Sequence, residues 1–134
     1  MAIDHRYPAI IKKRIFIVGC PRSGTTLLQG VLASHPEVYS LPETFFFAKA
    51  ISRNWIKKKF IHPSLKVRNH LRSMLQVMNR QDLKVVGKVG FFQSDYHSPF
   101  LRVMDQLTLD SGGTVWVEKT PMHLYFIEEI QKLI

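Results

Sequence analysis

The sequence predicts an α/β domain with a doubly wound parallel sheet, a three-layer α/β/α arrangement of the P-loop type. Residues 14–41 follow the order strand, tight glycine-containing loop, helix, strand, which is a βαβ unit. A further apolar run at residues 114–117 predicts a later strand, and apolar residues at helical spacing separate the two regions. Strands that alternate with helices along a chain are typical of a parallel sheet covered by helices.

The first element is an apolar run, RIFIVGC at residues 14–20, which predicts a strand buried on both faces. A helix begins at Thr25 and ends near His35, because Pro36 disfavours helical geometry in the residue before it. The helix places four apolar residues on one face: Leu27, Leu28, Val31 and Leu32. Residues 38–41 predict a short second strand that leads to Pro42 and Glu43.

The middle of the chain, residues 44–82, reads as helical. Lys57, Lys58 and Lys59 are expected on a solvated face, and residues 85–90 form either a short strand or a loop. Residues 110–113 are a turn, and the strand at 114–117 delivers residues 118–121 at its carboxyl end. A final helix starts at about Met122. The apolar stripe of the middle region is expected to pack in the core and consists of Leu65, Leu71, Met74, Leu75 and Met78.

Composition limits the possible functions. A chain of 134 residues forms one domain at most, and 46% hydrophobic with 22% charged residues is a globular balance. The formal charge of +9 favours an anionic partner. Cys20 is the sole cysteine, which excludes an intramolecular disulfide and a zinc site of paired cysteines, and we expect it to be a small core residue. Without a signal-like or membrane-spanning apolar stretch in the sequence, the expected location is cytoplasmic.

The loop GCPRSGTT at residues 19–26 has the spacing of a Walker A motif, with Thr25 in the place of the lysine. Its backbone N–H groups and the positive end of the following helix converge on one point, which suits a phosphate. Gly24 allows close approach, Thr25 and Thr26 add hydroxyl donors, and Arg22 adds a positive charge. The missing lysine argues against a triphosphate and for a nucleotide that carries one activated group on its 5′-phosphate.

Two strings, PRSGTTLL at residues 21–28 and SHPEV at 34–38, resemble the PAPS-dependent sulfotransferases. The similarity is greatest to the branch that contains protein-tyrosine sulfotransferases and many bacterial homologues. The resemblance implies a donor substrate, 3′-phosphoadenosine 5′-phosphosulfate, and no metal. The residues it implies for binding the donor's 5′-phosphosulfate are Pro21, Arg22, Ser23, Gly24, Thr25, Thr26 and Leu27.

The same resemblance implies catalytic roles for Glu43, Lys119 and Arg22. Glu43 follows the second strand, so it should lie at the carboxyl edge of the sheet with the loop, where a carboxylate can accept the acceptor's proton. Lys119 and Arg22 would stabilise the charge on the leaving nucleotide. His35 and His123 are expected in helix-end and packing roles.

The predicted organisation is a single, incomplete domain over residues 1–134. Residues 1–43 form the donor-binding βαβ unit, 44–113 a largely helical acceptor side, and 114–134 a strand plus a helix. The family pattern implies later strands with an arginine and a serine for the donor's 3′-phosphate. We therefore expect this chain to be the N-terminal portion of such a domain, and whether it acts alone stays open.

Two other functions stay open. A degenerate P-loop kinase or NTPase would need a substitute lysine and a Walker B acid, for which Glu118 is the only acid directly after a strand. A non-catalytic nucleotide binder or basic nucleic-acid module is suggested by a basic stretch that includes Trp55 and Phe60, although no nucleic-acid-binding motif is present. The basic residues concerned are Lys57, Lys58, Lys59, Lys66, Arg68 and Arg72.

The expected partners are the donor nucleotide and a hydroxyl or amine acceptor on a glycan, peptide or small molecule. An anionic acceptor would suit the basic helical region. Neither nucleic acid nor a membrane span is expected, and the oligomeric state is open.

Overall fold

The computed structural model describes residues 10–50, 63–83 and 97–133. The described strands form one parallel sheet in the order β1–β3–β2. Helices cover both faces of this sheet, which confirms the predicted α/β class. The elements in chain order are β1 (Lys13–Ile17), α1 (Thr25–Ala33), β2 (Val38–Leu41), α2 (Phe46–Ala50), α3 (Pro63–Val77), α4 (His97–Asp110), β3 (Val115–Lys119), a 3₁₀ helix (Pro121–Phe126) and α5 (Ile127–Gln131).

The parallel register brings the carboxyl ends of all three strands to one edge of the sheet. Lys119 at the end of β3 lies beside Ile17 at the end of β1. Its neighbour Glu118 lies beside Leu41 at the end of β2. Residues that follow the three strands therefore meet at this edge, as the sequence predicts.

Side-chain alternation along β3 separates the two faces of the sheet. On one face, Trp116 packs edge-to-face on Phe16 of β1 with ring centroids 5.1 Å apart. On the other face lies α1, whose Gln29 donates a hydrogen bond to Ser40 Oγ of β2 over 2.9 Å. Val117 shares the register of Ser40 and so points to the α1 face.

The core is rich in aromatic side chains and lies on the face opposite α1. Phe46 stacks on Phe100 with ring centroids 4.1 Å apart, and both rings are fully buried. At the rim of the core, Asp105 accepts two hydrogen bonds from Arg14 and one from Trp116 Nε1. The hydrogen bond to Asp105 raises the pKa of the Arg14 guanidinium.

Three predictions for the first strand and its end are wrong. β1 ends at Ile17 rather than at residue 20, because the N–H of Gly19 donates to the carbonyl of Pro121 and the chain turns into the loop. Cys20 therefore lies in the loop and is exposed instead of being a core residue. β1 is also an edge strand of the described sheet, and Ile17 is its one buried residue, so the strand is not buried on both faces.

The apolar face of α1 forms as predicted but is not covered by the described part of the chain. The side chains of Leu27 and Val31, one turn apart, are 74% and 61% exposed. α1 has no buried residue within the described structure.

The middle region contains two described helices, α2 and α3, and α4 was missed as a separate element. The i, i+3, i+4, i+7 spacing of Phe100, Val103, Met104 and Leu107 could have identified α4. In the predicted stripe, Leu71, Met74 and Leu75 are buried and Met78 is partly buried. The side chain of Leu65, the lysines at 57–59, the aromatic residues at 55 and 60, and the segment 85–90 lie outside the described residues.

The segment after β3 forms a 3₁₀ helix (Pro121–Phe126) followed by the short helix α5 (Ile127–Gln131). The sequence predicted one α-helix from Met122 instead. In the part of the chain that the structure describes, no helix has both the length and the apolar character needed to cross a membrane.

Replacing a core ring tests this packing. Phe100→Ala should lower the free energy of unfolding by about 3–5 kcal/mol, because it leaves a cavity between Phe46 and Trp116. The control Leu27→Ala, at an exposed position, should change it by less than about 0.5 kcal/mol. Urea denaturation followed by circular dichroism measures both, and similar losses in the two variants would contradict the described core.

Candidate functional site

The loop between β1 and α1 contains two residues in the left-handed backbone region. Arg22 and Gly24 both have positive φ, 62° and 80°. Left-handed residues at alternate positions turn successive N–H groups toward a common point. A Cβ at Gly19 would lie 3.2 Å from Ser23 Oγ, and that hydroxyl donates to the carbonyl of Cys20 over 2.6 Å. The loop is thus held together by its own short contacts.

The N-terminus of α1 carries no side-chain cap. Gly24 occupies the N-cap position, and no side chain of the described chain bonds to the N–H groups of the first turn. These groups and the helix dipole favour an anion at this position. Residues 21–24 are exposed and Thr25 is partly exposed, so a phosphate can reach the loop.

Glu43 and Lys119 form an ion pair at the same edge of the sheet. The Lys119 side chain is 9% exposed and that of Glu43 is 36% exposed. Lys119 lies beside Ile17, the last residue of β1, and the loop starts two residues later. The structure therefore brings together two of the three predicted catalytic residues. Arg22 is exposed, and its side chain has no hydrogen bond or ion pair with another described residue.

A fully buried carboxylate, that of Glu118, lies behind this pair. Its Oε1 accepts hydrogen bonds from the N–H and the hydroxyl of Thr44, over 3.2 and 2.9 Å, and from the hydroxyl of Thr120. Its Oε2 lies 3.1 Å from Nδ1 of His123, which is also fully buried. Four donors converge on this one carboxylate, so its oxygens are hydrogen-bonded although the group is removed from water.

The hydrogen bonds assign the tautomer of His123. Nε2 accepts the backbone N–H of Phe47 over 3.4 Å, so Nε2 carries no proton. The neutral ring then has its proton on Nδ1, which donates to Glu118. The ring also packs edge-to-face on Phe47, with centroids 4.8 Å apart. His123 thus has the predicted packing role and in addition a polar role that sequence reasoning missed.

The turn after Glu43 depends on these contacts. Phe45 has φ 51°, a left-handed conformation that costs a non-glycine residue about 1–2 kcal/mol. The hydroxyl of Thr120 accepts the N–H groups of Thr44 and Phe45, and the hydroxyl of Thr44 accepts that of Phe46. Three consecutive backbone N–H groups are therefore bound by the side chains that hold Glu118.

His70 of α3 supports the same turn from the other side. Its Nε2 lies 2.7 Å from the carbonyl of Thr44, so Nε2 carries the proton and donates it. Burial lowers the pKa of His70 and outweighs the opposing effect of this hydrogen bond. His70 is therefore a neutral donor near neutral pH.

Sequence reasoning identified Glu43 and Lys119 but not the buried polar group between them and the core. The available signal was the spacing: Thr44 directly follows Glu43, and Glu118 and Thr120 flank Lys119. Neighbours of a site residue on a strand point to the opposite face and can hold it from behind. His35 has its predicted helix-end role, because its Nδ1 accepts the N–H of Glu37 over 3.2 Å. No cluster of three or more potential metal ligands occurs among residues 10–50, 63–83 and 97–133.

Comparison with known proteins adds one finding. A family model described as "Sulfotransferase family" matches residues 14–134 of the chain. No curated protein and no solved structure was found to match.

The His70 contact predicts a pH dependence of stability. The pKa of His70 is lower in the folded chain than in the unfolded chain, where it is about 6.5. Above pH 6.5 the ring is neutral in both states and the full stabilisation is present. As the pH falls below 6.5, the unfolded chain binds a proton more readily than the folded chain, so the stabilisation is lost. The unfolding free energy should therefore decrease from pH 7.5 to 5.0. His70→Gln, which retains a nitrogen donor for Thr44, should show a smaller decrease in urea denaturation series. Parallel curves for the two proteins would contradict the assignment.

Proposed function

Because the chain belongs to the sulfotransferase family, we propose that it transfers a sulfuryl group from 3′-phosphoadenosine 5′-phosphosulfate to a hydroxyl or amine acceptor. The observation that carries this proposal is the Glu43–Lys119 pair at the edge of the sheet where the phosphate-binding loop begins. An acid for the acceptor's proton and a cation for the leaving group are the two charges that such a transfer needs.

The loop binds the 5′-phosphosulfate of the donor in this proposal. The uncapped first turn of α1 supplies N–H donors, and the hydroxyls of Thr25 and Thr26 supply two more. Arg22, exposed in the loop, supplies a positive charge. A threonine in the place of the Walker lysine suits a donor that has no γ-phosphate.

The reaction forms one bond and breaks one. The acceptor oxygen or nitrogen attacks sulfur, and the bond between sulfur and the 5′-phosphate oxygen breaks. Glu43 takes the acceptor's proton, and the products are the sulfated acceptor and 3′-phosphoadenosine 5′-phosphate. Lys119 and Arg22 stabilise the negative charge that develops on the departing phosphate.

A nucleoside triphosphatase is not favoured. The family match opposes it. The one acid considered for a Walker B role, Glu118, is fully buried, and its carboxylate is occupied by Thr44, Thr120 and His123. A nucleotide-binding chain without turnover remains a distinguishable outcome of the experiments below.

The acceptor side includes the exposed face of α3. Lys66 and Arg72 are exposed and Arg68 is partly exposed. The positive charge of this helix, whose His70 contacts the residue after Glu43, would favour an anionic acceptor such as a glycan that carries negative charge or an acidic peptide.

Calorimetric titration with 3′-phosphoadenosine 5′-phosphate tests the donor. We expect saturable binding that ATP competes for only weakly. The double variant Thr25→Ala/Thr26→Ala should weaken it at least about tenfold, because hydrogen bonds to a charged phosphate are lost. Equal affinity for ATP, or binding that the variant leaves unchanged, would contradict the assignment, provided that circular dichroism shows both proteins to be folded.

Glu43→Gln tests the proposed base. It keeps the shape of the side chain but cannot accept a proton, so turnover should fall about 10²–10⁴-fold. Release of 3′-phosphoadenosine 5′-phosphate is measured with a panel of anionic and neutral hydroxyl and amine acceptors. Glu128→Gln, an exposed acid on α5, is the matched control and should retain full turnover. Binding of the bisphosphate without turnover in the unaltered chain would identify a nucleotide binder instead.

A further inference from the structure

We propose that Glu118 is a positioning residue, whose buried carboxylate holds the turn carrying Glu43 against the end of β3. This inference rests on the proposed function for the roles of Glu43 and Lys119. It assigns to Glu118, Thr44, Thr120 and His123 the task of setting the geometry between acid and ammonium. We call these four residues the buried clamp.

Two consecutive residues of β3 bind two consecutive residues of the turn. Lys119 pairs with Glu43, and Glu118 accepts two hydrogen bonds from Thr44. Because neighbours on a strand point to opposite faces, the first contact lies on the face of the loop and the second on the face of the aromatic core. The turn is thus held from both faces of the sheet, and Glu43 has little freedom to shift along the edge.

The clamp also sets the backbone of the turn. Both hydroxyls, on Thr44 and Thr120, donate to Glu118 and accept backbone N–H groups. The hydroxyl of Thr120 in addition accepts the N–H of Phe45, the residue with the left-handed conformation. A strained turn persists only where its surroundings overdetermine it, and here both hydroxyls that accept the N–H groups of residues 44–46 also donate to the Glu118 carboxylate.

His123 orients that carboxylate. Its Nε2 is held by the N–H of Phe47, so its Nδ1–H points at Oε2 of Glu118. This contact leaves Oε1 to the two threonines. The fixed tautomer is a signature of the clamp that can be measured without any assay of activity.

Disrupting the buried clamp should affect donor binding and turnover differently, depending on whether Glu118 supports packing in general or positions Glu43. Loss of general packing would impair donor binding and turnover together. Loss of the clamp should displace Glu43 and leave the loop at residues 19–26 intact, because no clamp residue contacts that loop through its side chain among the described contacts. Misplacement of a reacting group by about 1 Å costs on the order of 100-fold in rate.

The test compares Thr44→Val, which has the same shape without the hydroxyl, with Thr44→Ser, which retains it. Thr44→Val should lower kcat about 10–100-fold. Its dissociation constant for 3′-phosphoadenosine 5′-phosphate should stay within about twofold of the unaltered chain, since the loop is unchanged. Thr44→Ser should restore kcat. Equal kcat in the two variants, or a parallel loss of donor affinity, would overturn the proposal.

Nuclear magnetic resonance tests the buried clamp independently of sulfuryl transfer. Long-range ¹H–¹⁵N spectra of the unaltered chain should show His123 protonated at Nδ1, and the ¹³C shift of the Glu43 carboxylate should move in Thr44→Val but not in Thr44→Ser. These results would support the clamp even if the chain binds the donor without turnover. If His123 of the unaltered chain is protonated at Nε2, the proposal is overturned. This measurement does not require Thr44→Val to fold.

Discussion

The buried carboxylate of Glu118 is the constraint on which the carboxyl edge of the sheet depends. Removing a carboxylate from water costs several kcal/mol after relaxation, so the fold must bring donors to it. A hydrogen bond contributes about 0.5–1.5 kcal/mol to stability, and four donors from Thr44, Thr120 and His123 converge here. These donors come from the turn after β2 and the segment after β3, so one buried side chain joins both segments to the end of the central strand.

Glu118 can contact segments from two parts of the chain because β3 is the central strand of the described sheet. β3 lies between β1 and β2, so its last residues lie beside the ends of both strands, Lys119 beside Ile17 and Glu118 beside Leu41. Side-chain alternation then divides the strand end between two tasks. Glu118 faces the aromatic core, where its partners are fixed, and Lys119 faces the side of the loop, where it pairs with Glu43. A fully buried contact and a partly exposed ion pair thus share one stretch of backbone.

Much of the site could be predicted from the sequence because its parts are local. The left-handed Gly24 and the helix start at Thr25 follow from a short string with a known backbone geometry. The meeting of Glu43 and Lys119 follows from the parallel sheet, which gathers strand ends at one edge. The burial of Cys20 and the length of β1 were predicted wrongly, because an apolar run does not reveal where the chain leaves the ladder to bond elsewhere.

The sequence by itself determined the α/β class, the glycine-containing loop between β1 and α1, and the placement of Glu43 and Lys119 at one edge of the sheet, since each depends on residues close in the chain or on strand order. Only the tertiary structure decided that Glu118 is a fully buried, hydrogen-bonded acid and not a solvent-exposed one. Its partner Thr44 is 74 residues away in the chain, and His70 reaches the carbonyl of that threonine from a third segment. Contacts of this kind depend on how helices pack on the sheet, and periodicity within a segment carries no information about its partners in space.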